Sequence, residues 1–223
     1  MLSVSAQLQA QARFEFGFGG GTASDGFTNL VVNSSVLNST ARGRYTDLGA
    51  NGGNTNYLTG LNDTGAERRG FFQFDLSGFI PAITSASINL FSCAPAVVTS
   101  LCNAGGGGYN SPNASEIIDI FDFTGSQSSL TGGTGGLAAF NDLGTGTVFS
   151  TKTVSAADNG TFITFTLNSA GIAALNSARG STIAVGSAMR LGATAVVPEP
   201  ATSALMAAGL VLVGMLARRR RNS

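Results

Sequence analysis

Apolar and polar residues alternate one for one in short runs along this chain, and a period of two is the signature of an extended strand with one buried face. The clearest run is Arg69 to Leu76, where Phe72, Phe74 and Leu76 fall on one side and Phe71, Gln73 and Asp75 on the other. It predicts a central strand. Beyond a break at Ser77 to Pro81, Ala86, Ile88 and Leu90 alternate with Ser85, Ser87 and Asn89 and predict a partner strand, joined by a hairpin or by a crossover. Phe14, Phe16 and Phe18 alternate with Arg13, Glu15 and Gly17 in the same manner.

Composition agrees with strands. The chain has 223 residues, 31 of them Gly and 15 Phe, and only 11% are charged, which is enough for one large domain or two small ones with a real core. The expected class is all-β. Setting aside Arg218 to Arg221, eight basic residues face twelve acidic ones, a mildly acidic balance that makes nucleic acid a poor partner.

Met1 to Ala12 reads as the remnant of a secretory signal peptide, with Ala10-Gln11-Ala12 as its A-x-A cleavage site. No Lys or Arg precedes that site and Leu2 to Ala6 is short for an apolar core, so either the start codon lies upstream or the N-terminus is simply disordered. Residues 13–192 then form the domain. Gly19 to Gly21 are turn residues, since neither Gly-Lys-Ser/Thr nor a complete Gly-x-Gly-x-x-Gly follows to cradle phosphate. Leu30 to Val32 is a short apolar run, and Asn33 to Arg44 reads as a loop or a weak edge strand. Ile117 to Phe123 predicts a strand with neither face purely apolar. Gly125 to Gly146 reads as a long loop with an apolar patch at Leu137 to Phe140. Val148 to Val154 and Phe162 to Leu167 predict strands joined through Asp158, Asn159 and Gly160. Asn168 caps one short helix running to Ala178, with Ile172 and Leu175 on one face, and Thr182 to Leu191 is a last strand.

Residues 193–223 are of another kind. Pro198, Glu199 and Pro200 precede an uncharged run from Ala201 to Ala217 that includes Leu205, Leu210, Val213 and Leu216, and Arg218, Arg219, Arg220 and Arg221 follow. As a helix that run reaches ~25 Å, the length of a thin bilayer's apolar core. The four arginines act as a stop-transfer block and keep the C-terminus cytoplasmic, with everything upstream outside. This order of motif, span and basic end resembles the PEP-CTERM sorting signal of exported Gram-negative proteins. The resemblance implies recognition by an exosortase-type membrane enzyme, in cells that make extracellular polysaccharide, followed by a cell-surface or matrix location.

A second resemblance lies in the domain. Asn56 with Tyr57, Arg69, Phe74-Asp75-Leu76, and Ile83, Ala86, Ile88 and Leu90 are similar to the pattern of DNRLRE-type extracellular domains. It implies a jelly-roll-like antiparallel β-sandwich often associated with carbohydrate. The pattern departs at Leu58, where glycine is usual, and after Phe91, where segments are longer. Arg69 and Asp75 are expected as a fold-defining polar pair.

The chemistry available is narrow. Without histidine there is no Ser-His-Asp or Cys-His nucleophile and no imidazole metal ligand, and no cofactor or metal is expected. Cys93 and Cys102, the only two cysteines, are expected to pair as a disulfide in an exported protein. Asp63 with Glu67, and Asp119 with Asp122, are acidic pairs by sequence proximity alone, and the latter point to opposite faces of a strand, which a calcium site would need a bulge to overcome. Lys152 is the sole lysine, on a Thr-rich strand face. With no Trp in the chain, Tyr45, Tyr57 and Tyr109 are the candidates for stacking on a glycan. Three readings follow: a non-catalytic, carbohydrate-binding protein of the cell surface or matrix, a purely structural or adhesive matrix protein, and a secreted carbohydrate-active enzyme.

Overall fold

A computed structural model of the chain describes residues 14–18, 26–50, 55–62, 65–93 and 108–190. The expected signal-peptide remnant at 1–12, Cys102, Asp63, the motif Pro198 to Pro200, the expected span 201–217 and Arg218 to Arg221 lie outside the described residues. Among the described residues no helix is long and apolar enough to cross a membrane.

The domain is mostly β. In chain order its strands are β1 (Phe14–Phe18), β2 (Thr28–Val32), β3 (Ser35–Thr46), β4 (Gly49–Ala50), β5 (Tyr57–Leu61), β6 (Glu67–Asp75), β7 (Ala86–Phe91), β8 (Ser115–Asp122), β9 (Val148–Ser155), β10 (Phe162–Thr166) and β11 (Thr182–Arg190). All pair antiparallel along the path β10-β7-β2-β3-β6-β11-β8-β9, with β4, β5 and β1 attached beside it. The sheet nearly closes. Asn168, just after β10, donates its backbone N–H to Phe149 O at 2.8 Å and its side-chain amide to Val148 O at 2.7 Å, tying one end of the path to the other.

β3 makes this geometry possible. Residues 35–38 pair with β2, residues from Ser39 onward pair with β6, and the register shifts between Ser39 and Ala41. A bulge bends a strand and raises its twist, so one strand serves two halves of the sheet. Asn33 to Arg44 is therefore a turn followed by most of a central strand, not a loop or an edge. The β2–β3 turn is Asn33-Ser34, both at positive φ (45° and 72°), the backbone of a two-residue hairpin. The Asn33 amide holds the turn, accepting from Thr84 N at 2.9 Å and donating to Ala82 O at 2.7 Å.

Bending brings the two inner faces together. Leu30, Val32, Ile88, Leu90, Ile163 and Phe165 from one half pack with Phe72, Phe74, Ile118, Ile120, Ile183 and Val185 from the other in one buried cluster. The predicted face of Phe72, Phe74 and Leu76 is this core, each fully buried. β6 and β7 do not pair: the break at Ser77 to Pro81 is a crossover between the two halves.

The outer face of β6 departs from the expected pattern. Phe71 is only 6% exposed, because it belongs to a second cluster with Tyr45, Leu130, Ala139, Phe140, Leu143 and Ala184. The cover comes from the stretch Gly125 to Gly146, read above as a loop, which forms the short helices α1 (Gln127–Thr131) and α2 (Gly136–Asp142). The Ser126 side chain caps α1 by accepting from Ser129 N, and Phe140 in α2 and its C-cap Leu143 lie three apart and buried. The helix predicted from Asn168 is present as α3 (Ser169–Ser177), with the Asn168 side chain accepting from Gly171 N. There are thus three α-helices among the described residues rather than one.

Candidate ligand-binding face

The acidic residues hold the structure together locally. Glu67 accepts from Arg69 at 2.8 Å, and the Arg69 guanidinium lies 4.2 Å from the Phe140 ring centre while donating to Phe140 O and Asn141 O at 3.1 Å, where it caps the C-terminus of α2. Asp75 accepts from Ser77 N at 2.8 Å, and hydrogen bonding from the Ser77 side chain and then its backbone lowers the Asp75 pKa. Arg69 and Asp75 are therefore not a pair: they sit at opposite ends of β6, each with a local partner. Asp119 accepts two bonds from Arg190, both 2.8 Å, and one from Thr151, whereas Asp122 accepts from Thr147 N at 2.7 Å. Asp119 stands opposite Ala188 and Asp122 opposite Val185 on β11, so the two carboxylates leave β8 on opposite faces. Among the described residues no three Cys, Asp or Glu side chains gather where they could hold a metal ion.

The three tyrosines point inward. Tyr45 is 1% exposed, packed against Phe71, with its hydroxyl donating to the α1 carbonyls of Ser129 and Leu130 at 3.0 and 2.8 Å. Tyr57 is 2% exposed, edge-on to Phe72 and beneath the buried Arg42, and its hydroxyl donates to Phe91 O. Tyr109 is 4% exposed and donates to Asn113 O at 2.6 Å. Burial pushes the Tyr45 and Tyr109 phenols above their ordinary pKa. None offers a ring face to a sugar, which corrects the expectation that these residues form a stacking site. Their rings are core: Tyr57 and Tyr109 belong to the cluster between the sheet halves and Tyr45 to the one under the helices.

An open surface of a different composition lies on the outer face of β10, β7, β2 and the start of β3. Strand pairing aligns Thr164, Asn89, Asn29 and Asn38 in one row across the four strands. Thr164 Oγ1 donates to Asn89 Oδ1 at 2.8 Å, Asn89 Nδ2 to Asn29 Oδ1 at 2.9 Å, and Asn29 Nδ2 to Gly26 O at 3.2 Å. A row of phenylalanines flanks it: Phe27 and Phe91 meet edge-to-face at 4.8 Å, Phe91 and Phe162 at 5.2 Å, and Phe162 is 49% exposed. On the other side run Thr166, Ser87, Val31 and Val36, the last 62% exposed. No ionisable side chain stands in these three rows.

Sequence reading marked Ser87 and Asn89 as outward positions but did not assemble this face. Its strands come from residues 27–38, 87–91 and 162–166, and only the strand order brings them side by side. A cleft of about 330 Å³ lies beside α1 and α2, between Phe123, Ser129, Thr134 and Ala138. Its one carboxylate, Asp142, is engaged by Thr124 N and Gly125 N at 2.8 Å each.

Residues 196–221 match the family model of the PEP-CTERM protein-sorting motif. That motif implies an exported protein processed by an exosortase-type enzyme, with passage through the membrane and an extracellular or cell-surface location in a Gram-negative bacterium. No curated protein matches the chain.

Proposed function

We propose that the chain is a non-catalytic protein of the cell surface or extracellular matrix, delivered by its tail, and that its β domain associates with extracellular polysaccharide. The observation that carries this reading is the sorting motif over residues 196–221, which implies export to the cell surface or beyond it. Two features support it. The described carboxylates named above are engaged by backbone N–H groups, hydroxyls or arginines rather than facing one another across an open space, and glycoside hydrolysis needs two of them ~5 to 10 Å apart flanking the scissile bond. The likeness of residues 56–90 to DNRLRE-type sandwich domains adds to it, since a bent antiparallel sheet is the frame that such a domain needs.

The test is processing and location in the native host. Wild-type chain is expected at the cell surface or in the matrix in a form lacking the arginine block, and P198A/E199A is expected to accumulate in the membrane fraction at full length. Wild-type protein found in the cytoplasm defeats the reading. Release of reducing sugar from polysaccharide by the purified protein defeats its non-catalytic part.

A further inference from the structure

We propose that the outer face of β10, β7, β2 and the start of β3 is a binding platform for a neutral extracellular polysaccharide. The inference rests on the matrix reading above and adds the site and the class of ligand.

Charge decides the class. With no ionisable group in the rows of Phe27, Asn29 and Val31, the face offers no Coulombic attraction to nucleic acid, anionic lipid or a uronic-acid polymer. What it offers is hydrogen bonding at fixed spacing. Each of Asn29 and Asn89 uses one N–H and one oxygen lone pair in the ladder, so each keeps one donor and one acceptor. Neighbouring strands hold these amides ~4.8 Å apart. A hydroxyl both donates and accepts, so an extended polymer carrying hydroxyls on successive units can answer such a comb. An apolar chain would leave it unsatisfied.

The phenylalanine row supplies the second half of the recognition. Sugars present C–H surfaces as well as hydroxyls, and Phe162, half exposed, lies almost parallel to Phe27 (12° between planes) with Phe91 wedged against both. Rings already fixed by one another lose little freedom when a ligand packs on them. The same layout disfavours a second copy of the chain as occupant. Its apolar parts, Phe162 at one side and Val36 at the other, are separated by the amide row, whereas a protein interface centres on a continuous apolar patch.

The experiment is retention of the full chain, purified in detergent, on microcrystalline cellulose, curdlan and mannan as neutral polymers and on alginate as an acidic one. Retention is expected on at least one neutral polymer, unchanged by added salt, and not on alginate. F162A and N89D are each expected to cut that retention at least about tenfold, while T153A on the other half of the sheet leaves it unchanged. Thermal midpoints measured alongside separate lost binding from lost fold. If wild type is retained and both variants are retained equally, the face is wrong while the polysaccharide reading stands. If nothing neutral is retained although the protein reaches the surface, this proposal and the polysaccharide part of the reading both fail, and export stands. If wild type sediments as a dimer that F162A abolishes, the face joins two copies and the proposal is overturned.

Discussion

Leu143 rests on Gly186 of β11 so closely that a Cβ on that glycine would stand 2.6 Å from the Leu143 Cα and meet its carbonyl oxygen as well. This contact seats the α1–α2 segment on the outer face of the sheet. Gly186→Ala must push backbone, not a flexible side-chain tip, and overpacking of that kind costs ~1 to 3 kcal/mol. The expected result is a lower urea midpoint with an unchanged slope. An unchanged midpoint would mean that the segment yields without cost and is not a fixed part of the fold.

Phe71 and Phe74 are neighbours on β6 that serve different cores, one under the helices and one between the sheet halves. Truncation to alanine at either site is therefore expected to cost ~3 to 5 kcal/mol, a large share of a domain's ~5 to 15 kcal/mol. Chemical denaturation of the two variants checks this. A much smaller loss at Phe71 would show that the α1–α2 cover packs loosely on the sheet.

That pair also marks how far the sequence could be read. Alternation located β1, β6 and β7, and the Asn168 cap located α3, because each signal sits within a few residues of the element that it defines. The cover over Phe71 escaped because α1 and α2 are five and seven residues long, set among Gly, Ser and Thr, too short for a helical period to stand out. The spacing of Phe140 and Leu143 was the one available hint. β3 escaped because its hairpin turn is Asn-Ser rather than Asn-Gly. The amide row was beyond reach for another reason: no local pattern says that Asn29, Asn89 and Thr164 stand side by side.

Tyr45 and Tyr109 give a pH-dependent signature. Their folded-state pKa values lie above the ordinary 10.0, chiefly because burial penalises the phenolate. Stability from the neutral phenols is then complete below that value and is lost as pH rises through it toward the folded-state pKa. Ultraviolet titration should show these two phenols ionising late and together with unfolding, and Tyr45→Phe should lessen the alkaline loss per molecule. Early ionisation of both in folded protein would contradict their burial.

Cys93 is 1% exposed and is not a free thiol, and Gly108 approaches its carbonyl so closely that no Cβ would fit, so residues 93 and 108 adjoin. The expected partner is Cys102. Closing a loop of ten residues contributes ~2.5 to 3 kcal/mol on the chain-entropy model. Mass spectrometry of unreduced protein from the cell envelope should find the two peptides linked, and reduction should lower the thermal midpoint. Two alkylatable thiols in that protein would refute the pairing.

β11, the last strand before residue 191, is flanked on both sides, by β6 over Thr182 to Ser187 and by β8 over Val185 to Arg190. Tension entering at Arg190 along the strand meets the β8 rungs first and, from Ser187 inward, those of β6 as well, so it loads paired rungs in shear instead of peeling a free edge one bond at a time. A domain tethered through that residue is gripped at an interior strand rather than at a free edge, so flow or traction at a cell surface would load the fold along its paired rungs.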